Sequence, residues 1–296
     1  MDRTTYQNCM LCPRRCGVDR TKGQRGFCGM DDQMRAARAA LHFWEEPVLC
    51  GDGGAGAVFF TGCTLRCVYC QNVEISRDGF GVPVDTKALR ACFERLINEG
   101  ASCIDLVTPT QFLPDILPAL TPKLPVPVVC NCGGYESVDT LRQLDGLVDV
   151  YLPDFKYSDA GLAKKLSAAP DYPEVASAAI REMFRQTGPF RVENGRLLSG
   201  VLIRHLILPG EIDNSLGVID WIADTFPQGS VLVSLMSQYT PAAAAVTMPP
   251  YDREITSDEY DAVLSWLQLR GLRDGFTQDL CAASLDFVPE FDGTGL

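Results

Sequence analysis

The chain has 296 residues, enough for one large α/β domain with an appendage. Apolar residues make up 46%, which supports a sizeable core, and the net charge of −12 argues against a nucleic-acid or anionic-membrane surface. The N-terminus has no apolar h-region and no apolar run approaches the ~20 residues a bilayer requires, so the expectation is a soluble cytoplasmic protein.

The chain opens on a Cys-rich segment, read as a unit over residues 1–50. Cys9-x2-Cys12-x3-Cys16-x11-Cys28 gathers four thiols within twenty residues, with Gly17, Gly23, Gly26 and Gly29 between or beside them. Soft thiolates at this spacing suit a metal knuckle holding zinc, a rubredoxin-like iron or an auxiliary iron–sulfur centre. Arg14, Arg15, Arg20 and Arg25 would offset the negative charge of such a site. The alternative is a set of reduced surface thiols. A metal-bearing module here would dock a partner or relay an electron. Disulfides are not expected in a reducing compartment. The scattered Cys50, Cys92, Cys103, Cys130, Cys132 and Cys281 are therefore read as small buried hydrophobes.

From residue 57 the pattern becomes regular. AVFFT (57–61) is a short apolar run, followed by CTLRCVYC (63–70). DTKALRACFERLINEG (85–100) has helical spacing with an Asp85 cap and a Gly100 stop. CIDLV (103–107) reads as a strand, with a short helix ending near Leu120. PVPVVCN (125–131) and the start of VDVYLPDFKY (148–157) are further strands around a helical SVDTLRQL (137–144). Helices near 159–168 and 173–186 precede the apolar strand GVLIRHLILPG (200–210). A helix over 214–226, a strand in SVLVSLMSQY (230–239) and a helix opened by the capping pair Thr256 and Glu259 follow.

Six strand–helix units in alternation predict a parallel sheet with right-handed crossovers, a barrel or partial barrel over 51–285. The acidic stretch 286–296 reads as a mobile tail. The working surface of such a fold is its set of loops at the carboxyl ends of the strands. Those ends deliver the three cysteines, Thr108 to Gln111, Asn131 with Gly133 and Gly134, Asp154 with Lys156, and Gln238 with Tyr239. Strand alternation sends Arg204 and His205 to opposite faces, and an inward Arg204 needs an anionic partner such as Asp154, Asp105 or a ligand carboxylate. His205 is read as a satisfied structural residue.

Cys63-x3-Cys67-x2-Cys70 offers three thiols without a fourth. A structural zinc takes four closed ligands, and a four-iron cluster normally takes four cysteines. Three imply either a ligand from elsewhere or a metal position left open.

CTLRCVYC at the end of the first strand resembles the signature of the radical S-adenosylmethionine superfamily. The segments EEPVLCGDGGAGAVFFTGCTLRCVYCQN, DLVTPTQFLPDIL, NCGGYES, VDVYLPDFKY, APDYPEV and IRHLILPG are similar to the group related to pyruvate formate-lyase activating enzymes. The resemblance spans nearly the whole chain and implies a partial (β/α)6 TIM-like barrel. It implies that Cys63, Cys67 and Cys70 hold three irons of a [4Fe-4S] cluster whose fourth iron binds the amino nitrogen and carboxylate of S-adenosylmethionine. Closely spaced thiolates suit a cube-shaped cluster, and Gly62 and Thr64 let the backbone approach it. An electron from a flavodoxin or ferredoxin would break the cofactor's C5′–S bond, and the resulting 5′-deoxyadenosyl radical would abstract hydrogen from the substrate.

The resemblance implies that Tyr69 packs on the adenine. Position at the strand ends gives the other candidate contacts: Lys156 on the cofactor carboxylate and Asp154 on a ribose hydroxyl or small cation, or else a salt bridge within the loop; Asn131, Gly133 and Gly134 as a close-approach turn against the cofactor, or a simple turn; and Arg204 as an anion contact. Activating enzymes carry Gly-Gly-Glu after the second strand to bind the cofactor's amino group. Here the place reads Thr108-Pro109-Thr110, whose hydroxyls or carbonyls offer acceptors instead. The substrate is a glycine of a glycyl radical enzyme, or a small molecule or peptide. The competing class is a non-catalytic iron–sulfur or zinc protein.

Overall fold

The computed structural model describes residues 1–280 and 289–296; Cys281 and residues 286–288 of the expected tail lie outside the described residues. In chain order the strands are β1 (Arg35–His42), β2 (Ala55–Phe60), β3 (Val82–Pro83), β4 (Cys103–Val107) and β5 (Val128–Cys132). They continue with β6 (Val150–Pro153), β7 (Arg191–Glu193), β8 (Arg196–Leu206), β9 (Leu232–Met236) and β10 (Gly275–Thr277). The helices are α1 (Pro47–Cys50), α2 (Val73–Ser76), α3 (Thr86–Asn98), α4 (Leu113–Ala119) and α5 (Val138–Leu141). After them come α6 (Ala160–Ser167), α7 (Tyr172–Thr187), α8 (Ile212–Thr225) and α9 (Ser257–Leu269).

The six predicted strands are β2, β4, β5, β6, β8 and β9. They pair in parallel in that order, and β10 adds a seventh parallel strand on β9. The other edge bends back: β1 runs antiparallel to β2, and β3 antiparallel to β1. The sheet thus runs β10-β9-β8-β6-β5-β4-β2-β1-β3 with two free ends, an open barrel. Residues 35–42, which fall in the segment read as a Cys-rich unit, are part of this sheet.

Both faces of the parallel strands are covered, which is why they read as continuous apolar runs. Inside the barrel Val129, Val150, Leu152, Leu202 and Leu232 pack with Leu49 and Ala55 into a plug. On the outer face Ile104, Leu106, Cys130, Tyr151, Ile203 and Leu235 join the larger core with helix residues such as Leu89, Ile180 and Ile219. Cys50, Cys92, Cys103, Cys130 and Cys132 are buried, as expected for small hydrophobes. Asp85 caps α3 by accepting the Ala88 N–H, and Thr256 and Glu259 form the reciprocal capping box of α9.

The end of the chain differs from the mobile tail expected. Gly293 N–H donates to Ala37, and Ala39 N–H donates to Thr294, each at 2.9 Å. Phe291 packs its ring edge-on to Phe59 at 5.5 Å on the inner face of β2. These residues therefore lie along β1.

The N-terminal residues are fastened to the loops after β2 and β4. Arg20 is fully buried, stacks over Tyr6 at 4.4 Å and donates to the Gln111 carbonyl at 2.7 Å. The Gln111 amide in turn donates to the Thr61, Gly62 and Thr108 carbonyls at 2.9, 3.1 and 2.8 Å. The cysteine loop thus starts from a point held by both neighbours. Among the described residues no helix is long and apolar enough to cross a membrane.

Gly134 is the most constrained turn near this end. Its φ is +77°, and a Cβ there would sit 2.2 Å from the Asp154 carbonyl oxygen. A backbone oxygen cannot swing aside, so Gly134→Ala is expected to destabilise the fold by roughly 2 kcal/mol or more. Urea unfolding of the purified variant measures this; an unchanged midpoint would refute it.

Candidate active site

Cys63, Cys67 and Cys70 occupy the loop leaving β2, at the carboxyl end of the parallel sheet. Each sulfur has one hydrogen-bond donor: the Leu65 N–H to Cys63 at 3.4 Å, the Ser167 hydroxyl to Cys67 at 3.0 Å and the Ser76 hydroxyl to Cys70 at 3.3 Å. The loop is pinned further by Arg14, whose Nε and Nη2 donate to the Thr64 and Ser167 carbonyls at 2.9 and 2.8 Å. Burial pushes the Cys63 thiol up to about 12, with Cys67 and Cys70 raising it further. Burial and Cys67 raise Cys70 as well, so these two thiols resist becoming thiolates unless a cationic centre compensates them, and three thiols gathered in one loop are the donor set an iron–sulfur cluster uses.

A cavity of about 230 Å³ opens beside this loop, lined by Cys67, Tyr69, Cys70, Asp154, Lys156 and Arg204 among others. The structure therefore brings together four of the expected cofactor residues. Lys156 Nζ meets Asp154 Oδ2 at 2.5 Å, and Arg204 Nε donates to Asp154 Oδ1 at 2.9 Å. Burial alone would raise the Asp154 pKa, but Arg204 and Lys156 outweigh it and hold the carboxyl below its ordinary value. Burial would lower Lys156, yet Asp154 and Cys67 keep its pKa above that of a free lysine. A charged lysine beside a carboxylate can hold an incoming ligand carboxylate while Asp154 stays ionised.

Arg204 faces the barrel interior and finds two carboxylates, Asp154 and Glu45, the latter at 3.2 Å. Its Nη2 also donates to the Asn131 side-chain oxygen at 2.6 Å. His205 faces the other way, between the Phe155 carbonyl at 2.7 Å and the Ser215 hydroxyl at 2.9 Å. Burial lowers its pKa to about 4, so it is a neutral structural residue at pH 7.

Tyr69 is buried with its hydroxyl 2.8 Å from that of Tyr157 and its ring 6.0 Å from Tyr239. Gly133 is a close-approach position: a Cβ there would come within 2.8 Å of Leu65 in the cysteine loop. Thr108 and Thr110 are not among the residues lining the smaller cavity. The Thr110 hydroxyl is committed to Glu136 at 2.6 Å, and the Thr108 carbonyl accepts from Gln111.

A second cavity of about 830 Å³ adjoins the first, sharing Gln71, Asn72, Arg204, Met236 and Gln238. Its wall adds Glu45, Glu46 and the exposed Phe43 and Trp44. Sequence reasoning missed these, and it treated Asp105 only as a possible partner of Arg204. A lone carboxylate in the buried run CIDLV was the available signal.

The N-terminal thiols are close enough to shift one another. Burial, then Glu136, Cys28 and Cys16, push Cys12 up to about 12; burial, with Cys9 and Cys16, raises Cys28. Arg20 Nη1 lies 3.8 Å from Cys9 Sγ, whereas Arg14 serves the cysteine loop and Arg25 pairs with Asp31. Among the described residues no three His, Cys, Asp or Glu side chains converge on a single metal-ion position. Cluster ligation makes a different demand, one thiolate to each of several irons.

No protein-family model matches the chain. It is 29% identical over 276 residues to the uncharacterized protein MJ0674 of Methanocaldococcus jannaschii, covering 88% of this chain and 75% of that one. Its fold is similar to Streptococcus suis SuiB bound to the precursor peptide SuiA, with a TM-score of 0.52 at 13% identity. That match covers 75% of this chain and 48% of SuiB, so the chain spans about half of that structure. SuiB alone matches with a TM-score of 0.50 at 12% identity over 77% of this chain and 50% of its own. These likenesses show the fold, an open α/β partial barrel like that of SuiB.

Proposed function

We propose that the chain is a radical S-adenosylmethionine enzyme. One observation carries the reading: the three-cysteine loop opens on a cavity whose far wall is the Asp154, Lys156 and Arg204 cluster. When bound, a [4Fe-4S] cluster with S-adenosylmethionine supplies a 5′-deoxyadenosyl radical able to take a hydrogen atom from an unactivated carbon.

The chain's own residues hold and shield that chemistry. Cys63, Cys67 and Cys70 ligate, with Ser167 and Ser76 donating to two of the sulfurs. Lys156 binds a carboxylate, and Asp154 orients Lys156 and Arg204 through its two oxygens. Tyr69 and Tyr239 wall the smaller cavity with buried rings that exclude water, and the Tyr157 hydroxyl holds that of Tyr69 at 2.8 Å. The Cys9, Cys12, Cys16 and Cys28 module is a candidate second iron–sulfur centre, since its thiols do not converge on the single position that zinc would need. It sits against the cysteine loop, since a Cβ at Gly62 would meet the Cys28 carbonyl oxygen at 2.9 Å. A flavodoxin or ferredoxin supplies the electron.

The narrower activase role would make a glycine of a protein partner the hydrogen donor. The commitment of Thr110 to Glu136 argues for the other branch, a small molecule or peptide entering the 830 Å³ cavity. Incubating the anaerobically reconstituted, reduced protein with S-adenosylmethionine should release 5′-deoxyadenosine. No release above a dithionite-only control would overturn the proposal. A glycyl signal in electron paramagnetic resonance on mixing with a glycyl radical enzyme would restore the activase branch.

A further inference from the structure

The larger cavity carries a charge imbalance that the cofactor cluster leaves unused. Glu45, Glu46 and Asp279 stand on its wall against one guanidinium, Arg204, which already serves Asp154 and Glu45. Glu46 is only 9% exposed and makes no ion pair among the described residues. Behind them lies Asp105, fully buried on β4. Its Oδ2 accepts from the Asn131 amide at 3.2 Å, and the same amide donates to Glu45 at 3.1 Å. Its Oδ1 has no hydrogen-bond partner, and the buried Ser234 hydroxyl lies beside the Glu46 carboxylate. Ser234 pairs in register with Arg204 and so shares the barrel's inner face.

Burying a carboxylate without a cation or enough donors is costly, and native structures rarely leave such groups unpaired. Glu46 at the wall of an open cavity, with Glu45 beside it sharing one guanidinium and Asp105 buried behind, therefore points to a ligand that brings the missing donors. The exposed ring of Phe43 at the same wall presents a face that also attracts cations. The smaller cavity beside the cysteines has Asp154 as its one lining carboxylate, so the cofactor's ammonium does not account for Glu45 and Glu46.

We infer that the substrate's reacting end carries a protonated amine or a guanidinium, held by Glu46 and Glu45 with Asp105 behind them. The inference rests on the radical-enzyme reading, whose substrate class it names. A free amine and a lysine or arginine side chain of a peptide share this chemistry.

The pH dependence follows. Burial and then Glu45 push the Glu46 carboxyl up to about 7, with Asp154 adding and with Ser234 and Arg204 opposing. Burial and Glu45 also raise Asp105 well above the ordinary carboxyl value. The cation binds the ionised forms, so affinity should climb as pH rises through about 7, with protons released on binding.

Isothermal titration calorimetry on the reconstituted full chain tests this. The probes are butylguanidinium, butylamine and a short blocked arginine peptide, with butyrate and butanol as controls. Cations should bind at least about tenfold more tightly than the controls, and more tightly at pH 8 than at pH 6. Glu46→Gln should weaken cation binding by about tenfold or more while S-adenosylmethionine affinity is kept. Should that variant misfold, Asp105→Asn carries the same expectation. A peptide preference identifies a peptidyl side chain, and a preference for free butylguanidinium a small amine.

Equal binding of butyrate or butanol, or a Glu46→Gln variant with unchanged cation affinity, overturns the inference. So does a parallel loss of S-adenosylmethionine binding. Cation binding by protein that never releases 5′-deoxyadenosine upholds this site and sinks the radical reading. Release of 5′-deoxyadenosine without cation preference does the reverse.

Discussion

Replacing Cys67 with alanine should take 5′-deoxyadenosine release down to the uncatalysed background while leaving the chain folded. Cys67 is the middle cysteine of the loop, and its sulfur accepts from Ser167, whose backbone carbonyl is held by Arg14. Without this thiolate the cluster would rest on Cys63 and Cys70 alone. The folded chain itself loses one sulfur from a partly packed loop, a change of about 1 kcal/mol. Iron and sulfide analysis, circular dichroism and the cleavage assay on one preparation check this. A variant that keeps its cluster and its cleavage would remove Cys67 from the site. A non-catalytic scaffold predicts only the small stability loss.

Asp154→Ala should cost about 3 kcal/mol or more of stability and also weaken S-adenosylmethionine binding. The carboxylate meets both Lys156 and Arg204, and the three side chains are 15%, 17% and 16% exposed. Removing it leaves two largely buried cations facing each other, with Glu45 the one carboxylate still paired to Arg204 among the described residues. The pH dependence has a definite sign. The folded pKa of Asp154 is depressed, because Arg204 and Lys156 outweigh burial. Its contribution is therefore complete above the unfolded value near 4 and lost as pH falls through the lower folded value. Urea unfolding at pH 7 and in acid should show the variant weaker at pH 7 and less sensitive to acid. Equal stability at pH 7 would refute the ion-pair account.

The strands with the strongest apolar runs were the easiest to read. β4, β5 and β9 are covered on both faces, and nothing but a buried parallel strand suits CIDLV or SVLVSLM. β1 was hidden because RAARAALH has no β-branched or aromatic residue; its strand state comes from pairing with β2 and with Gly293 and Thr294. β10 has three residues and gains its order from β9. The hairpin between β7 and β8 was legible but overlooked. Asn194-Gly195, with φ of 51° and 77°, is a strong two-residue turn signal.

The site shows the same division. Asp154, Lys156 and Arg204 could be placed because strand ends and strand alternation fix where such side chains go. Glu45 could not, because it enters the barrel from the turn before α1, well away in sequence from every strand end it serves. Thr110 shows the converse. Its position after β4 suggested a cofactor contact, but its hydroxyl goes to Glu136, an interaction set by the loop after β5.

Electron paramagnetic resonance of the reduced protein, with and without S-adenosylmethionine and compared with Cys67→Ala, bears most directly on the central claim. If Cys63, Cys67 and Cys70 leave one iron free for the cofactor, one cluster signal should shift when the cofactor is added and vanish in the variant. A signal that ignores the cofactor, or metal analysis finding only zinc at this loop, would contradict the account.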